Sequence, residues 1–169
     1  NEAGVDSILW TVRKNMKGFR NLTEEAAAAT ASMERISTKV TDPMLLYFTS
    51  GTTGYPKGVV HDFTYPLAHI VTAKYWHQAE PDGLHFTVSE TGWAKSVWGK
   101  LYGQWLGGSA IFVYDFDRFH PTELLDVISK YKVTTFCAPP TIYRFMIHED
   151  VKQYDLSNDL LSTFAVANG

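Results

Sequence analysis

From Met44 onward, short apolar runs alternate with longer stretches of helical period. Runs of strand length fall at Met44–Thr49, Leu84–Val88, Ser109–Tyr114, Thr134–Ala138 and Thr163–Val166. Helical patterns lie between them, at about residues 61–78, 92–106, 121–131 and 140–150. Gly107-Gly108 and Pro139-Pro140 punctuate the boundaries. Strands joined by helix-length connections pair in parallel through right-handed crossovers. Helices then cover both faces of the sheet and bury its strands. The pattern therefore predicts an α/β fold with a mostly parallel sheet and helices on both faces. Ligands of such sheets bind beyond the carboxyl ends of the strands. Thr49–Gly58, Glu90–Trp93 and Pro139–Thr141 all follow predicted strands, so all three are expected on one edge.

The first 41 residues read differently. Asn21-Leu22-Thr23-Glu24-Glu25 is a helix start with acidic residues in the first turn, where the helix dipole favours them. Ala26 to Ala29, Ala31 and Met33 continue it, and alanines make a surface helix rather than a core one. Thr41-Asp42-Pro43 ends the pattern. Residues 1–41 are thus read as a peripheral segment and residues 42–169 as an α/β domain cut short at its C-terminal end. In the 92–106 stretch, Trp93, Val97, Leu101 and Trp105 share one helical face. Gly99 and Gly103 lie together on one side of it, which predicts close approach of another element.

Composition narrows the classes. The chain has 169 residues, 45% of them hydrophobic and 14% aromatic, enough for a sizeable core. A net charge of −3 and the lack of a basic stripe argue against a general nucleic-acid surface. No apolar run approaches the ~20 residues of a membrane span. The single cysteine, Cys137, has no internal partner, which fits a reducing, cytoplasmic setting. It lies in an apolar run and reads as a small buried hydrophobe rather than a nucleophile.

Candidate chemistry concentrates in Thr49-Ser50-Gly51-Thr52-Thr53-Gly54-Tyr55-Pro56-Lys57-Gly58. Glycines let backbone N–H groups approach an anion, hydroxyls donate hydrogen bonds, and lysine supplies a mobile point charge. The segment is not the G-x-x-x-x-G-K-[ST] loop of nucleotide hydrolases, because Gly58 follows Lys57. It resembles the phosphate loop of the adenylate-forming superfamily, [ST]-S-G-[ST]-[ST]-G-x-P-K-G, at all its positions. Val88-Ser89-Glu90-Thr91-Gly92-Trp93 and Phe136-Cys137-Ala138-Pro139-Pro140-Thr141-Ile142-Tyr143-Arg144 resemble the AMP-forming acetyl-, short- and medium-chain acyl-CoA synthetases.

The resemblance implies part of the large N-terminal domain of an enzyme that activates a carboxylic acid with ATP and Mg2+ and transfers the acyl group to CoA. It carries Thr49, Ser50, Gly51, Thr52, Thr53, Gly54, Lys57 and Gly58 over as ATP phosphate contacts. Gly92 and Trp93 are implied at the acyl pocket, and Pro140 and Thr141 near the acyl-adenylate. The family's catalytic lysine lies in a small C-terminal domain, so no catalytic residue and no metal ligand is assigned in this chain. The alternative reading is a non-catalytic phosphate-loop sub-domain with at most weak anion binding.

His61, His69, His77 and His85 recur every eight residues. On a helix that spacing separates neighbours by roughly 12 Å, too far to share an ion. With no H-E-x-x-H and no paired cysteine, a zinc site is not expected. Asp115, Asp117, Glu149 and Asp150 read as solvated charges.

Overall fold

The computed structural model describes residues 8–30, 32–50, 54–90, 92–157 and 161–164. The chain divides into two units, Asn1–Ser37 and Thr38–Gly169.

In the first unit, β1 (Trp10–Thr11) and β2 (Arg20–Asn21) form a short parallel pair that leads into α1 (Leu22–Ala28). The Asn21 side chain caps the helix, accepting hydrogen bonds from the N–H groups of Thr23 and Glu24. Arg20 pairs with Glu25 and lies over the Trp10 ring. No residue of α1 is buried, and the helix ends at Ala28, short of the predicted Met33.

In the second unit, β5 (Leu84–Thr87), β6 (Ala110–Phe112), β7 (Thr135–Ala138) and β8 (Leu161–Phe164) form an all-parallel sheet in the order β6-β5-β7-β8. The chain lays β6 to one side of β5, then crosses back to lay β7 and β8 on the other. With right-handed crossovers, that reversal puts the connection after β5 on one face of the sheet and those after β6 and β7 on the other. The connection after β5 holds α3 (Lys95–Trp98) and α4 (Tyr102–Leu106). Those after β6 and β7 hold α5 (Pro121–Tyr131) and α6 (Pro140–Met146).

Strand alternation makes the two faces chemically unlike. One face presents Phe86, Phe136 and Ala138, and these pack with Leu124, Leu125 and Ile128 of α5 and Met146 of α6 in an apolar core. Burying each large side chain there contributes about 1.5–3 kcal/mol. The residues between them, His85, Thr87, Thr135 and Cys137, are as fully buried on the other face. Three of those four are polar, and each of the three finds a hydrogen-bond partner.

Two expectations are corrected. Met44–Thr49 is not a strand of the parallel sheet. β3 (Pro43–Thr49) pairs antiparallel with β4 (Lys57–Asp62) in a separate two-stranded sheet. The start of the predicted 61–78 helix is therefore strand, and α2 spans Tyr65–Tyr75, with Asp62 accepting from the Thr64 N–H just before it. The single helix predicted over 92–106 is two short ones, because the buried polar face draws on the carbonyl of Gly99 between them. His85 Nε2, Thr87 Oγ1 and Gln104 Nε2 all donate to that oxygen, at 3.1, 2.7 and 3.2 Å. Trp93, Val97, Leu101 and Trp105 consequently do not share one continuous helical face. Close approach at Gly103 does occur. A Cβ there would sit 2.2 Å from the His69 carbonyl oxygen of α2, so only glycine lets α4 cross α2 at this point.

Candidate functional site

The sheet reverses its strand order between β5 and β7, the place where open α/β sheets form a ligand crevice outside the strand carboxyl ends. Two of the three predicted site segments leave the sheet there. After β5 the chain runs through Glu90, Gly92 and Trp93 into α3. The turn is closed by Trp93 N–H to Glu90 O at 3.1 Å and by the Ser96 hydroxyl to Trp93 O at 2.7 Å. The Trp93 ring is 59% exposed, so it is available to a ligand rather than spent in the core. After β7, Pro139 caps α6 without a side-chain bond, Pro140 opens the helix and Thr141 follows, exposed. Thr87, the last residue of β5, and Cys137, the last but one of β7, are register partners. The Trp93 and Thr141 turns are thus neighbours on one edge, as the strand pattern predicts.

The third segment is the turn of the β3–β4 hairpin, so the strand-edge argument does not extend to it. Thr49 ends β3 and faces Lys57 across the ladder, and Gly58 faces Phe48. Ser50, Gly54, Lys57 and Gly58 are exposed, and Gly54 has φ +105°, a conformation that favours glycine. Gly51, Thr52 and Thr53 lie outside the described residues. The base of the hairpin is fixed by aromatic contacts. Tyr47 of β3 and His61 of β4 meet edge to face at 5.7 Å, and His61 lies 4.3 Å from Tyr65 of α2. Burial raises the phenol pKa values of Tyr47 and Tyr65, so both stay neutral. What the described part of the hairpin offers is Lys57 and the hydroxyl residues Thr49 and Ser50, all exposed at the mouth of the ladder. That chemistry fits a polyphosphate.

Beneath α3 and α4 lies a polar layer that the residue pattern did not reveal. The chain turns back between α2 and β5, so His77 and His85 stack at 5.1 Å with their planes 9° apart. His85 lies in a strand, as its place in the run Leu84–Val88 predicts, so helical spacing does not govern this pair. His85 Nδ1 accepts from Thr135 Oγ1 at 2.7 Å, which leaves Nε2 as the protonated nitrogen that donates to Gly99. His77 Nδ1 accepts from Gln104 Nε2 at 2.7 Å. Burial pushes the His77 pKa down to about 3 and that of His85 down to about 4. Burial also raises the Cys137 thiol, which sits fully enclosed and therefore unreactive. Among the described residues no group of three or more His, Cys, Asp or Glu gathers to hold a metal ion.

The profile of the family described as AMP-binding enzyme matches residues 3–168. The chain belongs to the AMP-binding enzyme family. This AMP-binding segment is 37% identical over 149 residues to human acyl-coenzyme A synthetase ACSM3, mitochondrial, covering 88% of the chain and 25% of that protein. It is 35% identical over 147 residues to human acyl-coenzyme A synthetase ACSM5, mitochondrial, covering 86% of the chain and 25% of that protein. The chain therefore spans about a quarter of the length of the curated relatives it matches. Among solved structures, the Brucella canis acyl-CoA synthetase superposes with a TM-score of 0.71 at 24% identity, over 80% of this chain and 24% of that one. The anthranilate CoA ligase AuaEII, in complex with anthranoyl-AMP, gives a TM-score of 0.75 at 23% identity, over 89% of this chain and 30% of that one. These likenesses show the fold of adenylate-forming enzymes.

Proposed function

We propose that the full-length protein is an AMP-forming acyl-CoA synthetase. It activates a short- or medium-chain carboxylic acid with Mg-ATP to an acyl-adenylate and pyrophosphate, then transfers the acyl group to CoA. The observation that carries this reading is the strand-order reversal with the exposed Trp93 turn and the Pro140–Thr141 turn side by side at its carboxyl edge. In this reading Trp93, beside Gly92, borders the acyl group, and Pro140 and Thr141 lie near the acyl-adenylate. Thr49, Ser50, Gly51, Thr52, Thr53, Gly54, Lys57 and Gly58 hold the departing pyrophosphate. Catalysis of the first step is mainly positioning and neutralisation of charge. Magnesium enters as the nucleotide's companion, not as a resident of these residues.

The chain on its own is assigned no catalysis, in keeping with its span of a quarter of its relatives. We place residues 1–41 as a peripheral segment and 42–169 as the partial AMP-binding domain. No helix among the described residues is long and apolar enough to cross a membrane. A lone, enclosed Cys137 fits a reducing compartment. The cytoplasm is one such setting, and the mitochondrial location printed in its relatives' names is another.

The test is acyl-CoA formation by the full-length protein across a panel of carboxylic acids, with pyrophosphate release followed in parallel. Thioester and pyrophosphate in equal amounts are expected. Release of inorganic phosphate without any acid would instead point to a nucleotide hydrolase and sink the reading.

A further inference from the structure

Lys95 is the first residue of α3, two positions after Trp93, and it is only 6% exposed. Its Nζ is buried, joins no ion pair among the described residues and reaches no oxygen or nitrogen partner, only the weakly bonding Cys137 thiol. The side chain lies against the Cys137 thiol, whose register partner Thr87 ends β5. A thiol is a weak, neutral partner for an ammonium. Nearby His77 is held neutral by its burial, and as a base it could carry only a like charge. An enclosed, uncompensated cation costs stability, and an unsatisfied polar group in a folded protein calls for an explanation. This one stands under the strand-order reversal, at the carboxyl ends of the two strands that frame the crevice.

We infer that Lys95 is a binding residue for a carboxylate, the missing counter-charge being supplied by the acid that the protein activates. This rests on the reading above and adds a named subsite to it. The four-carbon stem of lysine is flexible enough to carry the ammonium from Cys137 to the crevice. Leaving its resting place gives up only the weak contact with the Cys137 thiol. Two carboxylates fit this chemistry: the one that attacks ATP, and the far end of a diacid. They differ in the second half-reaction. An acyl-adenylate has lost the charge of its reacting carboxylate, whereas a diacid keeps its distal one.

The experiment uses the full-length protein and its Lys95→Met variant, which keeps the length of the side chain and removes the charge. Thermal melts are recorded without ligand, with butyrate and with succinate, and initial rates are measured with both acids. Without ligand the variant is expected to melt at or above the wild-type temperature, since an unpaired buried charge is gone. A ligand-induced rise in melting temperature is expected in the wild type and is lost in the variant, with affinity for the acid about 10- to 100-fold weaker. Loss with butyrate assigns the reacting carboxylate. It should also leave thioester formation from synthetic butyryl-adenylate within about twofold of wild type, if the charge acts only before adenylation. Loss with succinate alone assigns the distal one. Equal shifts in both proteins, or none in either, overturn the subsite. So does a variant that melts well below wild type without ligand, because Lys95 is then structural. A wild type that makes no acyl-CoA defeats the synthetase reading, while the melts still judge Lys95.

Discussion

Acid should loosen this fold through one stacked pair. His77 and His85 are fully buried, and their pKa values fall from 6.5 to about 3 and about 4. Because the folded values are the lower ones, the unfolded chain binds more protons between about pH 6.5 and pH 4. The stability held by the two neutral rings is complete above pH 6.5. It drains as pH falls and levels off below the folded values. One proton taken up on unfolding is worth about 1.4 kcal/mol per pH unit. Each ring therefore puts about 2–3 kcal/mol at stake between pH 6.5 and pH 4, a large share of a domain's stability. Both rings stay neutral in the folded chain across this range while both take up a proton on unfolding, so the two losses arrive together. The discriminating variant is His77→Gln, which keeps an acceptor for Gln104 but cannot titrate. It should be less stable than wild type at pH 7.5. Its stability should fall less steeply between pH 6 and pH 5, by about 1.4 kcal/mol per unit. Urea unfolding followed by tryptophan fluorescence at several pH values measures both slopes. Parallel curves for wild type and variant would refute the reasoning.

Three further outcomes are expected. Gly103→Ala should cost about 3 kcal/mol or more in thermal or urea unfolding, because the new Cβ meets the His69 backbone at 2.2 Å and neither helix can yield easily. Trp93→Ala in the full-length protein should shift kcat/KM about tenfold or more toward longer or branched acids, and an unchanged acyl-length profile in a folded variant removes Trp93 from the pocket. Lys57→Ala should slow adenylation about 10- to 100-fold while sparing thioester formation from a pre-made acyl-adenylate, since pyrophosphate is present only in the first half-reaction. Equal loss in both half-reactions counts against the phosphate contact.

The parallel sheet was legible because its strands are short, apolar and spaced by helix-length connections, and α5 has the boundaries its period predicts. β4 was not. Lys57-Gly58-Val59-Val60-His61-Asp62 read as the tail of a loop and the start of a helix, and only pairing with β3 makes it a strand. The break between α3 and α4 was hidden for a related reason. It depends on Gly99 meeting His85, Thr87 and Gln104, contacts formed across the fold rather than along the chain. The Trp93 and Thr141 turns could be placed on one edge from strand order alone. Lys95 could not be singled out, since a lysine opening a helix ordinarily reaches solvent. Its burial appears only when α3 is laid over the ends of β5 and β7.

The unlike faces of the sheet set different rules for how relatives of this protein diverge. On the Phe86–Phe136 side, one apolar residue can replace another of similar volume with modest loss, so positions there drift singly. On the His85 side, replacing Thr135, Thr87 or Gln104 takes a hydrogen bond away from a fully buried polar partner. Substitutions there survive in sets. In a comparison of many relatives, the His77–Gln104 and His85–Thr135 pairs should therefore change together, while the core opposite varies one position at a time.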